Sequence, residues 1–197
     1  MNNFLRTSLL TTLLALSGIA QAEWSANVGF ASEYYYRGIF QESTSASGGI
    51  DYEANGFYAG TWAADVGDGL EVDGYFGYSV GFTGYYYSGD FDDTYQEINL
   101  GGSYGLFSLD IAVGQYENFG GPTLDYVYYA LTAEKNGFYT KLGGFTRDFA
   151  GDYLEAGYGT TVADFDIGIA LIFSDSDLVG ENDEAIVFTI GKPFDLQ

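Results

Sequence analysis

The chain has 197 residues, with 28 acidic side chains against 6 basic ones, a formal net charge of −22 and 47% hydrophobic content. So negative a chain argues against nucleic acid as a partner, because phosphate binding needs a basic face, and against a soluble enzyme for anionic substrates. There is no cysteine and no histidine, which excludes disulfides and thiolate metal sites and removes the usual general base. The hydrophobic content is too high for a disordered polyanion. Nineteen tyrosines, 16 phenylalanines and 29 glycines against 2 prolines favour strands joined by tight turns, since aromatic residues suit pleated surfaces and glycine supplies turns.

Residues 1–22 read as a cleaved signal peptide, leaving 23–197 as one domain. Arg6 gives the positive n-region, Leu9 to Leu16 a short apolar core, and Ala20-Gln21-Ala22 a small-x-small cleavage site. The first strand is expected from Trp24 to Gly38. Trp24, Ala26, Val28, Phe30, Ser32, Tyr34 and Tyr36 fall on one face, and Ser25, Asn27, Gly29, Ala31, Glu33, Tyr35 and Arg37 on the other. A period of two separates these sets. Aromatic residues at both ends of the apolar face suit a strand whose face meets lipid and whose ends meet headgroups.

A polar connection, Gln41 to Ser45, precedes a second strand from Ala46 to Glu53. Asn55-Gly56 is a strong hairpin turn, because both positions tolerate positive φ. Phe57 to Val66 is strand-like, but its faces are not cleanly separated, since Tyr58, Trp62 and Val66 compete with Phe57, Ala59 and Ala63. Leu70 to Tyr78 alternates well, with Glu71, Asp73 and Tyr75 on the side opposite Leu70, Val72 and Phe76. Val80 to Tyr87 follows, then an acidic loop to Asp93, then Tyr95 to Tyr104 with Glu97 on its polar face. Phe107 to Val113 sets Asp110 against Leu109 and Ile111.

After a loop with Gly120, Gly121 and Pro122, an apolar face is formed by Val127, Tyr129, Leu131 and Ala133. Asn136-Gly137 turns into Phe138 to Arg147, which carries Lys141. Leu154, Ala156 and Tyr158 oppose Glu155. Phe165 to Phe173 gives the cleanest apolar face, against Asp166. A long acidic loop, Ser174 to Asp183, precedes a last strand from Glu184 to Phe194.

The expected fold is therefore all-β: a transmembrane antiparallel up-and-down barrel of about twelve strands, each roughly nine to eleven residues long. The connections alternate between short turns and longer, more acidic loops, as such a barrel with both termini on the turn side predicts. A secreted sandwich also alternates but does not predict that asymmetry. Tyr52, Phe57, Tyr104, Phe107, Phe138 and Phe165 flank the short turns, as a girdle would.

The polar faces supply the candidate pore-lining residues: Glu33, Arg37, Glu71, Asp73, Tyr75, Glu97, Asp110, Lys141, Arg147, Glu155 and Asp166. An acidic wall lowers the barrier for cations and raises it for anions. The alternative is a set of ion pairs that fills a narrow lumen. No catalytic or metal site and no cofactor is expected, because Glu71 and Asp73 lie side by side on one strand and cannot flank a substrate. The acidic loops (Asp90, Asp92 and Asp93; Asp175, Asp177, Glu181 and Asp183) match no calcium-loop spacing.

Ser32-Glu33-Tyr34-Tyr35-Tyr36-Arg37-Gly38-Ile39 followed by Gln41 resembles the opening motif of the TorF family of outer-membrane porins. Asn55 to Trp62 and Glu71-Val72-Asp73 with Tyr75, Gly77 and Tyr78 resemble it further, and Tyr95 to Ser108 and Phe188 to Phe194 more loosely. The resemblance implies a barrel in the outer membrane of a Gram-negative bacterium. Its partners would be lipid, lipopolysaccharide, the barrel-assembly machinery and small solutes or ions. The expected function is porin-like passive diffusion with a cation preference, not an enzyme; the alternative is a non-conducting structural or surface-binding barrel.

Overall fold

The computed structural model describes residues 22–196, so the expected leader, all but its last residue, lies outside the described part. The strands are β1 (Glu23–Ala31), β2 (Tyr34–Tyr36), β3 (Ile39–Glu42), β4 (Ser45–Ala54), β5 (Phe57–Asp65), β6 (Leu70–Gly77) and β7 (Val80–Tyr87). They continue as β8 (Tyr95–Tyr104), β9 (Phe107–Tyr116), β10 (Leu124–Lys135), β11 (Phe138–Arg147), β12 (Asp152–Val162), β13 (Phe165–Ser174) and β14 (Asp183–Leu196). A single turn of helix, α1 (Ser176–Val179), sits between β13 and β14.

Twelve of these strands, β1 and β4 to β14, close into one antiparallel barrel. Each pairs with its sequence neighbours, and β1 closes the ring on β14, with Trp24 opposite Leu196 and Ala31 opposite Thr189. Closure leaves no open edge in the ring. β2 and β3 form a separate two-stranded sheet.

The pleat sorts every barrel strand into two faces. Val28, Phe30, Ile50, Val72, Phe76, Leu109, Leu131, Ile167, Ile169, Leu171, Ile186 and Phe188 are all exposed on the outside. Glu71, Asp73, Glu97 and Asp110 are buried on the inside. This inverts the arrangement of a water-soluble domain, where large contiguous apolar surface is rare. The short connections all lie at one end, with residues 22 and 196. An arc of outward aromatic contacts runs along that rim, Trp24 to Tyr52 (4.9 Å), Tyr52 to Phe57 (6.4 Å) and Phe57 to Tyr78 (5.3 Å). Phe138 packs on Tyr158 farther round, at 4.6 Å. Asn55-Gly56 and Asn136-Gly137 are turns with positive φ at both residues, as expected for hairpins of this length.

The first strand departs from expectation. It ends at Ala31, not at Gly38. Tyr34 and Tyr36, assigned to an outward apolar face, instead belong to the separate hairpin, and Tyr34 is only 2% exposed. The faces of β5 are resolved as well. Trp62, Ala64 and Val66 are buried inside and pack with Tyr34, while Thr61 and Asp65 face outwards and are exposed.

Candidate functional site: a hairpin across the lumen

β2 and β3 are joined by Arg37 and Gly38, with Tyr36 paired to Ile39. Both turn residues have positive φ, 51° and 81°, the signature of a two-residue type I′ turn. An arginine in that conformation is disfavoured. Such residues persist where their surroundings fix them, and here the surroundings do so closely.

The hairpin folds back into the loop-side half of the barrel and crosses it. At its base, Tyr34 packs on Trp62 at 5.9 Å and donates its hydroxyl to Glu71 Oε1 at 3.1 Å. At its tip, the Arg37 guanidinium donates both terminal nitrogens to Glu97, at 2.8 and 2.7 Å. Glu97 also accepts from Tyr85 (2.7 Å) and Tyr126 (2.9 Å), so its carboxylate is fully satisfied. The guanidinium lies over the ring of Tyr128 at 4.0 Å and near that of Tyr36 at 4.9 Å. Stacking and a planar fork together are what arginine offers and lysine does not.

The far wall holds the tip from the other side. Ser174 Oγ donates to the Gly38 carbonyl. Gly38 lies so close to Tyr153 that a Cβ there would fall within 2.5 Å of its ring. Tyr153 and Tyr128 are hydroxyl-bonded at 2.8 Å. Gly114 has the same logic on the wall: its missing side chain lets Tyr126 lie across it to reach Glu97, and a Cβ would be 2.4 Å from that ring. Nearer the mouth, Tyr35 donates to Asp183 at 2.6 Å. Partial burial and that carboxylate push its phenol above the ordinary range.

Two buried clusters result, one on each side of the hairpin. Tyr34, Trp62, Ala64 and Val66 make one; Ala112, Tyr126, Tyr128, Ala130, Phe145 and Tyr153 make the other. The turn-side half of the lumen differs. It is lined by polar groups, half-buried except for the buried Thr83: Asn27 bonded to Asp51 (3.4 Å), Asn99 to Thr83 (2.8 Å), and Lys141 paired with Glu155 at 3.5 Å. Tyr75 and Tyr139 donate to Asp51 and Glu155.

The eleven residues named from the sequence thus fall in several places. Glu71, Asp73, Tyr75, Glu97, Asp110, Lys141, Glu155 and Asp166 occupy inward positions on barrel strands. Arg37 does not belong to the wall; it is the tip of the inserted hairpin. Glu33 lies in the bend after β1 and is on no strand. Arg147 stands at the loop mouth, half-exposed, 3.8 Å from Asp125. Asp166 lies by the turn-side rim and accepts from Thr161 at 2.6 Å.

The acidic loops use their carboxylates locally. Asp92 accepts from Tyr95 and Tyr116, Asp93 from the Phe119 amide, and Asp175 caps α1 through the Leu178 amide. Sequence reasoning missed Asp51 and the tyrosine cage of Tyr34, Tyr85, Tyr126, Tyr128 and Tyr153. The available signal was Tyr34-Tyr35-Tyr36: three aromatic residues in succession place rings on both faces, which a one-sided lipid strand does not do.

No family model matches the chain, and no curated protein matches it.

Proposed function

We propose that this protein is an outer-membrane barrel of porin-like type, a narrow cation-preferring path for small solutes or ions that its first loop holds closed at rest. The apolar outer belt and the turn-side aromatic rim support placement in a bilayer. The expected signal peptide and the resemblance to the TorF family belong to the same reading, as do lipopolysaccharide and the assembly machinery as partners. The single observation that carries the reading is the Arg37 hairpin clamped on Glu97 across an otherwise acidic lumen. Asp51, Asp110 and Glu155 bias the path toward cations, and Arg37 and Lys141 are the basic residues that face it among the described residues.

The second reading is a barrel that never conducts. It rests on the packing beside the hairpin, where Tyr85, Tyr126 and Tyr153 are 3% exposed or less. Bilayer recording separates the two. The intact chain should give rare or brief openings, and a chain with residues 33–43 replaced by a short Gly-Ser linker should give sustained steps with a cation-selective reversal potential. Silence from both chains, with insertion confirmed, would leave the non-conducting barrel.

A further inference from the structure

The barrel buries three carboxylate oxygens that meet no hydrogen-bond donor. They are both oxygens of Asp73 and Oε2 of Glu71, neighbours on the inner face of β6. Both residues are 0% exposed. Asp73 lies between Trp62 and Tyr85 on the adjoining strands, and Glu71 between Ala64 and Tyr87. A buried carboxylate without a partner costs several kcal/mol, so something must neutralise this pair.

None of the chain's own cations does so. The six basic residues are Arg6, Arg37, Lys135, Lys141, Arg147 and Lys192. Arg6 lies outside the described residues. Arg37 spends its fork on Glu97, Lys141 faces Glu155, and Arg147 stands at the mouth. Lys135 is exposed beside a turn, and Lys192 lies outside the barrel over Phe165.

We propose that Glu71 and Asp73 form a binding site for a small inorganic cation, with Ca²⁺ as the ion whose charge balances the pair. Hard carboxylate and hydroxyl oxygens are its preferred ligands. Mg²⁺ parts with its waters reluctantly, which favours calcium. Among the described residues no group of three acidic side chains has metal-ligand geometry. The site is therefore a two-carboxylate one, with the Tyr34 hydroxyl beside Glu71 Oε1 and Tyr87 next to Glu71 on the adjoining strand. An ion here would pin Tyr34, and with it the base of the hairpin, to the wall. The inference does not depend on conduction.

The test uses the full chain refolded in a zwitterionic detergent free of lipopolysaccharide, stripped with a chelator and titrated with CaCl₂ by calorimetry and by thermal unfolding. Wild type should bind one Ca²⁺ per chain, in preference to Mg²⁺ and K⁺, with a saturable rise in unfolding temperature. Asp73→Asn, which keeps shape and removes charge, should weaken binding at least tenfold. Tyr34→Phe should weaken it less, and Asp90→Asn with Asp177→Asn in the loops should leave it unchanged. Absence of saturable binding in wild type would overturn the site, as would binding that survives Asp73→Asn. Stabilisation by Asp73→Asn with no ion taken up by wild type would mean that a proton neutralises the pair, and would overturn it equally.

Discussion

Arg37 and Glu97 are nearly inaccessible, with side-chain exposures of 9% and 1%. Taking two charges out of water is expensive, so such a pair adds less stability than its short distances suggest, but removing one partner strands the other. Arg37→Met should therefore lower the unfolding free energy by about 3–5 kcal/mol, the usual cost of breaking a buried pair. Arg37→Met with Glu97→Leu should regain much of that loss. Urea titration of the refolded barrel measures both, and a single-variant loss below ~1 kcal/mol, the value of an exposed pair, would deny the clamp. Arg37→Lys keeps the charge but not the fork or the stacking, so it should fall between wild type and Arg37→Met. Gly38 is a second sensitive residue: Gly38→Val meets both the positive φ and the Tyr153 ring, and should loosen the tip while leaving the barrel strands paired.

At the scale of elements, the hairpin and the wall are separable. The twelve barrel strands pair only with one another, and β2 pairs only with β3. Side chains alone tie the hairpin to β5, β6, β7, β8, β10, β12 and β14, and the Gly38 carbonyl accepts from Ser174 on β13. Replacing residues 33–43 by a short linker should preserve the far-ultraviolet β signature and heat-modifiable migration while exposing the inner tyrosines. With the hairpin kept, trypsin cleavage at position 37 reports its release from the wall, expected in Arg37→Lys or Gly38→Val and slow in wild type.

The elements also explain what was legible in the sequence. Where the inward side chains are polar or small, as along much of Leu70 to Gly77 and Phe165 to Ser174, strict alternation named both faces. On β5, where the inner wall packs on Tyr34 of the hairpin, the inward face is apolar as well. Trp62, Ala64 and Val66 then look like the outside of a strand, and β5 lost its pattern. The hairpin itself was hidden for a related reason. Its Tyr-Tyr-Tyr run continues the hydrophobic rhythm of β1 past the bend at Ser32 and Glu33, so one long strand fitted the residues as well as two elements. The roles of Arg37 and Glu97 as partners, 60 positions apart in sequence, required the closed ring.

The whole molecule divides into an apolar outer belt, a polar turn-side vestibule and a packed loop-side half. Its large negative charge is distributed between lumen and loops, while the belt carries almost none. Substituting Ile169→Arg, at the middle of the outward face of β13, should destabilise the barrel in a bilayer by about 2–4 kcal/mol, the midplane cost of an arginine on a lipid-facing strand. The same substitution at Val162, on the outward face of β12 by the turn-side rim, should cost far less. Equilibrium unfolding from vesicles measures the difference, and equal costs at the two depths would argue against the bilayer placement.

In the proposed function an acidic path runs through the barrel and the Arg37 hairpin closes it. The most direct test is single-channel recording of the full chain and of its hairpin-replaced form in a planar bilayer under a salt gradient. Wild type should be mostly silent, and the hairpin-replaced barrel should give steady, cation-selective steps. Steady large currents from wild type, anion selectivity in the opened form, or an opened form that inserts without conducting would each contradict the proposed function.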